Sequence, residues 1–486
     1  MSTETGSSGV KRRDFLKVVG AAGAATTVVG CTSEQVGKLI PYVVSPDQTV
    51  PGVSNYYATV CRECGGPCGV IAEVRDGRAI KLEGNPNHPG NRGALGARCQ
   101  SALQGLYNPD RYRTPMIRKT AGGPLSATTW DQALQTLVQW LGEARTGGRA
   151  AGAVFINQAE LGSFPAFLDG WLAAFGMPAH LAFDAEAQQA VMAANRASFG
   201  GVAWPRYDFT AARLIVSFSA DFLDNWGNPV PQQLDWGDAR AKLETAPRFI
   251  YVGPRRSLTG LNADEWIPVK AGTELAVANM LRGQGTSAQT AQLTGVDQAL
   301  LDRLAQEVTA AGNGLLALAG GSTVDAQELA TAVNALNQSA GAVGTTVRPD
   351  QAHPAPHVSS FAELRAAVDR MNSGQVGIAF VRGANPAHST PPSLRFADAF
   401  KKVARRVSFS SYPDETSELC DLILPDHHAL ESWGDAEAGA GQIALQQPVM
   451  EPVFNTRQTA NVLLAVARSA GVGGGQFGAK DYREWL

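Results

Sequence analysis

A chain of 486 residues that is 44% hydrophobic and 17% charged has the composition of a globular protein, with room for about two to four domains. Its formal net charge of −3 and sequence pI near 6.2, without any basic stripe, exclude nucleic acid as the expected partner, because phosphate binding needs clustered Lys and Arg. The 52 glycines and 27 prolines mark a loop-rich molecule in which ligand contacts fall to strand ends.

The chain opens on Lys11-Arg12-Arg13-Asp14-Phe15-Leu16-Lys17, which reads as a twin-arginine export signal followed by an apolar run from Val18 to Gly30. That run is too short to cross a hydrocarbon core about 30 Å thick. It closes on Val28-Val29-Gly30-Cys31, the pattern of a lipoprotein processing site that would leave Cys31 acylated. The plainer alternative sets Cys31 beside an ordinary cleavage point. Twin-arginine export carries folded proteins, which suits a chain that receives a metal cluster in the reducing cytoplasm. The expected location is therefore the extracytoplasmic face of the inner membrane. One acyl chain anchors only marginally, at about 0.8 kcal/mol per buried CH2, so a membrane-bound partner is expected as well.

Residues 32–55, with Pro41, Pro46 and Pro51, read as an extended arm lying over a partner. Residues 56–118 read as a small cysteine-rich β domain. Four of the six cysteines, Cys61, Cys64, Cys68 and Cys99, are spaced C-x2-C-x3-C-x30-C. Three closely spaced thiolates can wrap one face of a compact metal centre, and a fourth from a separate loop can close the far side, as in iron-sulfur clusters. Gly65 and Gly66 can take positive φ and aim backbone N-H groups at sulfur. A [4Fe-4S] cluster is the expected occupant. A structural zinc site, which usually pairs two short cysteine knuckles, and an unfilled relic of the motif stand as alternatives. Such clustering does not suit a disulfide framework. Beyond it, Gly69 to Arg75, the dipeptide Asp76-Gly77 and Arg78 to Leu82 form a hairpin signal.

Past Pro115 the pattern changes to alternating strands and helices. Thr129-Trp130-Asp131-Gln132 has capping-box spacing, with Leu134, Leu137, Val138 and Leu141 following on one helical face. Buried strands are expected at Ala153–Ile156, Leu214–Phe218, Phe249–Val252, Leu315–Leu318, Ile378–Val381 and Leu422–Leu424, with a helix at Asp325–Leu336. Continuous apolar strands separated by helices indicate α/β architecture with parallel sheets covered on both faces. Two doubly wound units are expected at 119–285 and 286–470, followed by a tail at 471–486. Ligands of such sheets sit beyond the carboxyl ends of strands. Those ends read Ser219-Ala220-Asp221, Gly253-Pro254-Arg255-Arg256, Gly383-Ala384-Asn385-Pro386 and Pro425-Asp426-His427-His428. No G-x-G-x-x-G follows a strand and no P-loop occurs, which disfavours nicotinamide, flavin and ATP chemistry.

Outside the cysteine motif, each conspicuous residue has a structural reading. His427 and His428 are expected to solvate a loop, and Cys420 to be a small buried hydrophobe. Arg255 and Arg256 suit an ion pair with a partner chain better than a phosphate. Asp414, Glu415, Asp435 and Glu437 read as caps and turn residues rather than acid/base pairs. His88 is expected to hold the cluster loop by a hydrogen bond.

The run from Cys61 through Glu83-Gly84-Asn85-Pro86-Asn87-His88-Pro89, Gly96-Ala97-Arg98-Cys99 and Asn108-Pro109-Asp110-Arg111 resembles the start of the molybdopterin oxidoreductase superfamily, of the complex iron-sulfur molybdoenzyme type. Asp264 to Glu274 resembles its segment contacting the pterin nucleotide, and Asp421-Leu422-Ile423-Leu424-Pro425-Asp426 through Glu431-Ser432-Trp433-Gly434-Asp435-Ala436-Glu437 resembles its late loop. The resemblance implies a metal ligand ahead of Phe199-Gly200, where Asp184 to Ala197 holds no Cys or Ser and Asp184 is the single conceivable substitute. It implies a Lys-Gly bridge between cluster and pterin where this chain has Ser101-Ala102, and a base-binding Gly-Thr-Asp where it has Gly272-Thr273-Glu274. The family's C-terminal pterin-closing domain is expected after Asn461 to Ala467, where the sequence runs to Leu486 instead. These departures make molybdopterin an unexpected cofactor.

With the leader, they make the chain similar to the molybdopterin-like half of the B subunit of alternative complex III, a membrane quinol oxidase. The implied role is an electron-transfer or non-catalytic subunit of a respiratory complex, not catalytic on its own. Implied partners are a multi-cluster ferredoxin-like subunit, an integral membrane quinol-binding subunit and cytochrome c subunits. A split or shortened catalytic molybdoenzyme of the polysulfide or tetrathionate reductase type is the alternative.

Overall fold

The computed structural model describes residues 50–63, 66–120, 122–439 and 441–486. Arg12, Arg13, Cys31, most of the expected arm and Cys64 lie outside the described residues. Tyr56–Leu486 forms one compact unit.

Three strands open it, β1 (Asn55–Cys61), β2 (Cys68–Arg75) and β3 (Arg78–Gly84), side by side in that order, with β2 and β3 antiparallel. The β2–β3 turn is the expected one: Asp76 has φ 50° and Gly77 φ 75°, the doubly positive geometry of a tight hairpin turn. The helix Ala97–Leu106 follows, packed on β3.

The remaining strands, in chain order, are β4 (Met116–Arg118), β5 (Leu125–Ala127), β6 (Val154–Gln158), β7 (Leu181–Phe183), β8 (Arg206–Tyr207), β9 (Leu214–Phe218), β10 (Arg248–Gly253), β11 (Glu265–Pro268), β12 (Leu315–Ala319), β13 (Val347–Arg348), β14 (Ile378–Arg382), β15 (Arg405–Ser408), β16 (Leu422–Ile423), β17 (Gly434–Gly439) and β18 (Gln442–Gln446). Two sheets dominate. One runs β5-β4-β16-β15-β14-β6-β7 and the other β11-β10-β9-β12. Pairing is parallel in both except where β4 meets β16 and β5. Every residue of β9 and of β12 is buried, as expected for strands covered on both faces.

The sheets cross residue 285. β12 lies beyond it yet pairs with β9, whereas β6 and β7 precede it yet share a sheet with β14. The expected units at 119–285 and 286–470 are therefore not each closed on a sheet of its own. Apolar runs mark where strands are, but a parallel strand chooses its neighbour through crossover packing that hydropathy does not encode.

The helix Trp130–Thr146 starts as expected, with Thr129 accepting a bond from the Gln132 amide. The box is half formed, because the Gln132 side chain accepts from the Thr128 hydroxyl instead, at 2.8 Å. Residues 471–486 are not a loose tail. Phe477 and Tyr482 are buried against Phe167 in the core that also holds Trp171 and Leu463. Phe477, Tyr482 and Trp485 in so short a stretch carry no periodicity, so only packing reveals them. Among the described residues no helix is long and apolar enough to cross a membrane.

Candidate functional site

Cys61 ends β1, Cys68 begins β2 and Cys99 sits in the first turn of the helix Ala97–Leu106. All three are buried in one apolar cluster with Val70, Leu82 and Leu106. Strand pairing brings Cys61 and Cys68 to one end of the small sheet, and the helix delivers Cys99. The Cys61 sulfur accepts the Glu63 amide at 3.5 Å. Its contact with Cys99, reinforced by burial, pushes the Cys61 thiol far above the usual range. Neighbouring thiols buried this way ionise only when a cation takes the place of their protons, so the donor set fits a metal centre. Among the described residues, three His, Cys, Asp or Glu side chains do not converge on one point; Cys64 falls outside them.

The loop behind these cysteines is clamped. His88 Nδ1 accepts the Gly90 amide at 3.2 Å and the Asn91 amide at 3.4 Å. Asn91 in turn accepts the Gly69 amide at 2.9 Å and donates to the Gly69 and Ala94 carbonyls at 3.0 and 2.7 Å. Burial lowers the His88 pKa, which keeps the ring neutral and its Nδ1 free to accept. A Cβ on Gly69 would lie 2.6 Å from the His88 ring. His88 thus acts on the cysteine loop through Asn91, not by a hydrogen bond of its own to that loop.

A cavity of about 410 Å³ opens on the Cys61 side, between the cysteine loop and the carboxyl ends of β6, β14 and β16. A chain of charges braces it. Arg62 donates to Glu160 at 3.0 Å and to Gln446 at 2.5 Å. Arg382 donates to the other Glu160 oxygen at 2.5 Å, to Asn157 at 3.0 Å and to Asp426 at 3.1 Å. Asp426 also accepts the Thr459 amide at 2.7 Å. Burial alone would raise the Glu160 pKa, but Arg382 and Arg62 outweigh it and hold the carboxyl below its ordinary value. Sequence reasoning missed Glu160 and Arg382; the available signal was their place, Glu160 just past the end of the buried strand β6 and Arg382 at the last position of β14.

His427 and His428 line this cavity rather than a solvated loop. His428 Nδ1 accepts the Leu430 amide at 3.2 Å and its own amide donates to Glu431 at 2.8 Å, while His427 meets the Thr456 hydroxyl at 2.7 Å. A short turn at Ala429–Glu431 folds both rings inward. Glu431 then forms a fully buried pair with Arg111, at 2.8 Å, with both side chains 0% exposed. Arg111 also donates to the Leu106 carbonyl at 2.8 Å, so this pair ties the helix carrying Cys99 to the late loop.

Asp435 and Asp414 hold turns and a helix start, as expected. Asp435 accepts the Ser163 amide at 2.7 Å and hydroxyl at 2.6 Å, at the start of the helix Phe164–Ala174. Asp414 accepts the Thr416 and Ser417 amides at 2.9 and 2.7 Å. Cys420 is buried, its thiol on the Thr416 carbonyl. Arg255 departs from expectation: it pairs within the chain, with Asp221 at 3.2 Å, a carboxylate already held by the Tyr251 hydroxyl at 2.9 Å. The turn after β10 folds Arg255 back over the end of β9, a proximity created by the parallel pairing of these strands.

A second cavity, also about 410 Å³, flanks Cys99 and contains Asp184. Asp184 caps its own turn by accepting the Glu186 amide at 2.8 Å. Ser101 is exposed and bonded to the Arg98 carbonyl at 2.9 Å. Glu274 is 2% exposed, accepts from Ser219 at 3.2 Å and lines neither cavity. The Cys61-side cavity sets Glu63, Glu160, Asp414 and Asp426 against Arg62 and Arg382, both already paired. The Cys99-side cavity sets Asp184, Glu186 and Asp224 against Arg98, which pairs with Glu186 at 2.7 Å.

Comparison with known proteins accords with this architecture. The molybdopterin oxidoreductase family model matches residues 111–469 and the molybdopterin oxidoreductase Fe4S4 domain matches residues 54–108. The chain is 27% identical to the menaquinone reductase molybdopterin-binding-like subunit of Nitratidesulfovibrio vulgaris, over 98% of this chain and 74% of that protein. It is 22% identical to the arsenate respiratory reductase molybdopterin-containing subunit of a Shewanella species, over 92% of this chain and 64% of that protein. Acetylene hydratase from Pelobacter acetylenicus superposes with a TM-score of 0.70 at 16% identity, over 85% of this chain and 69% of that one, a likeness of fold.

Proposed function

Because the chain belongs to the molybdopterin oxidoreductase family and carries its Fe4S4 domain, we infer that it is an electron-transfer subunit of a membrane-associated quinol-oxidising respiratory complex. In this reading it holds a [4Fe-4S] cluster and no molybdenum. The observation that carries it is electrostatic. A pterin nucleotide brings a dianionic pyrophosphate, and both cavities beside the cysteines present more carboxylates than guanidiniums, with Arg62, Arg382 and Arg98 already paired. Neither cavity fits that group. Glu274, where the family resemblance implies a base-binding Asp, is buried on Ser219.

Cys61, Cys68 and Cys99, with Cys64, would hold the cluster, which when bound supplies one-electron exchange. The chain's own part is to bury the thiolates, to donate the Glu63 amide to Cys61 sulfur and to fix the loop through His88 and Asn91. The similarity to a menaquinone reductase molybdopterin-binding-like subunit supports a quinone-linked complex, and the sequence likeness to the B subunit of alternative complex III supports the same assignment. Under this proposal Arg12 and Arg13 direct twin-arginine export, Cys31 is acylated, and the subunit works on the extracytoplasmic face with ferredoxin-like, membrane quinol-binding and cytochrome c partners.

The alternative, a split catalytic molybdoenzyme, draws on Asp184, which lines the Cys99-side cavity as an oxygen donor. Elemental analysis of the purified complex separates the two. About four iron and four sulfide per chain without molybdenum are expected, with iron lost on Cys99→Ser. Stoichiometric molybdenum would overturn the proposal.

A further inference from the structure

The two cavities beside the cysteines have equal volume and differ in their walls. The one on the Cys61 side is crossed by the Arg62–Glu160–Arg382–Asp426 chain of ion pairs. The one on the Cys99 side is walled by Met192, Trp204, Leu223, Val230, Leu258 and Val358. At about 410 Å³ it lies within the size range of small-molecule sites, which are mostly apolar with a few polar groups. Trp204 is fixed edge-on to Trp226, ring centroids 4.9 Å apart at 83°, and presents a rigid aromatic wall. Leu258, 56% exposed, stands at the mouth.

Charge narrows the ligand further. Asp184, Glu186 and Asp224 face Arg98, and Arg98 is spent on Glu186. His353 adds no positive charge at neutral pH, since burial, then Arg206, lowers its pKa. The cavity therefore repels anions. We propose that the cavity beside Cys99 binds an uncharged planar ring compound, stacked against Trp204 and within reach of the cysteine site. The proposal rests on the molybdenum-free reading above, which metal analysis tests separately from the titrations below.

The test is isothermal titration calorimetry of the full chain with two probes. Duroquinone is uncharged, and its fully substituted ring does not add to thiols; anthraquinone-2-sulfonate is a flat quinone with a fixed negative charge. Saturable duroquinone binding at one site is expected, with the sulfonate weaker by about tenfold or more. Filling the cavity with Leu223→Trp is expected to weaken duroquinone by at least about tenfold, and Val358→Phe serves where that variant fails to fold. Asp184→Asn with Asp224→Asn is expected to narrow the preference for the uncharged probe. Absence of saturable binding, undiminished binding in a folded cavity-filled variant, or equal affinity for the sulfonate would each overturn the proposal.

Discussion

Replacing Arg111 by Met removes one partner of the Arg111–Glu431 pair and keeps most of the side-chain volume. In the native chain Glu431 is 0% exposed and accepts from Arg111, from the Val453 amide at 2.8 Å and from the His428 amide at 2.8 Å. Burial raises its pKa, but the Arg111 hydrogen bond and the Val453 amide outweigh that and hold the carboxyl below its usual range. Without Arg111, the two amides remain and the counter-charge is gone. Breaking a buried pair by removing one partner costs about 3–5 kcal/mol, because a charge stays buried without compensation. The orphaned Leu106 carbonyl adds about 1 kcal/mol. The sign of the pH dependence follows. A depressed folded-state pKa contributes stability that is present above the unfolded value and lost as pH falls through the folded one. In Arg111→Met the carboxyl protonates more readily, so the gap between wild type and variant is expected to be largest near neutrality and to shrink towards pH 4. Urea denaturation followed by circular dichroism at several pH values measures it. A cost under about 1 kcal/mol at pH 7, the range of an exposed pair, or a gap independent of pH, would refute the reasoning.

Further outcomes are expected from the same logic. Arg382→Ala leaves Glu160 and Asp426 facing one another with a single remaining guanidinium, Arg62, so a loss of about 3 kcal/mol at pH 7, partly recovered on acidification, is expected in denaturation curves. Gly69→Ala drives a Cβ into the His88 ring; about 1–3 kcal/mol of overpacking should appear as a lower thermal midpoint and reduced iron per chain. Asp435→Ala removes the carboxylate that caps the helix Phe164–Ala174 and should lower stability by about 1 kcal/mol without changing iron content.

Local chemistry was legible along the chain. The Asp76-Gly77 turn and the Thr129 cap follow from interactions among near neighbours, each settled within a few residues of the signal that announces it. The bonds of His88 to Gly90 and Asn91 are local in the same way. The apolar strands at 214–218 and 315–318 and the burial of Cys420 were readable from residue type alone.

Tertiary structure alone decided the rest. Glu160 and Arg382 are 222 positions apart, and Arg111 and Glu431 are 320 apart; each residue on its own is an ordinary charged side chain. The inward turn of His427 and His428, the return of Arg255 onto Asp221 and the packing of Phe477 and Tyr482 likewise depend on which strands became neighbours. That choice is made by crossover packing, and period and composition do not record it. Cys61, Cys64, Cys68 and Cys99 were visible in the sequence as a metal-binding spacing. The charge balance of the cavities on either side of Cys61 and Cys99, on which the reading of their purpose turns, exists only once residues hundreds of positions apart share one wall.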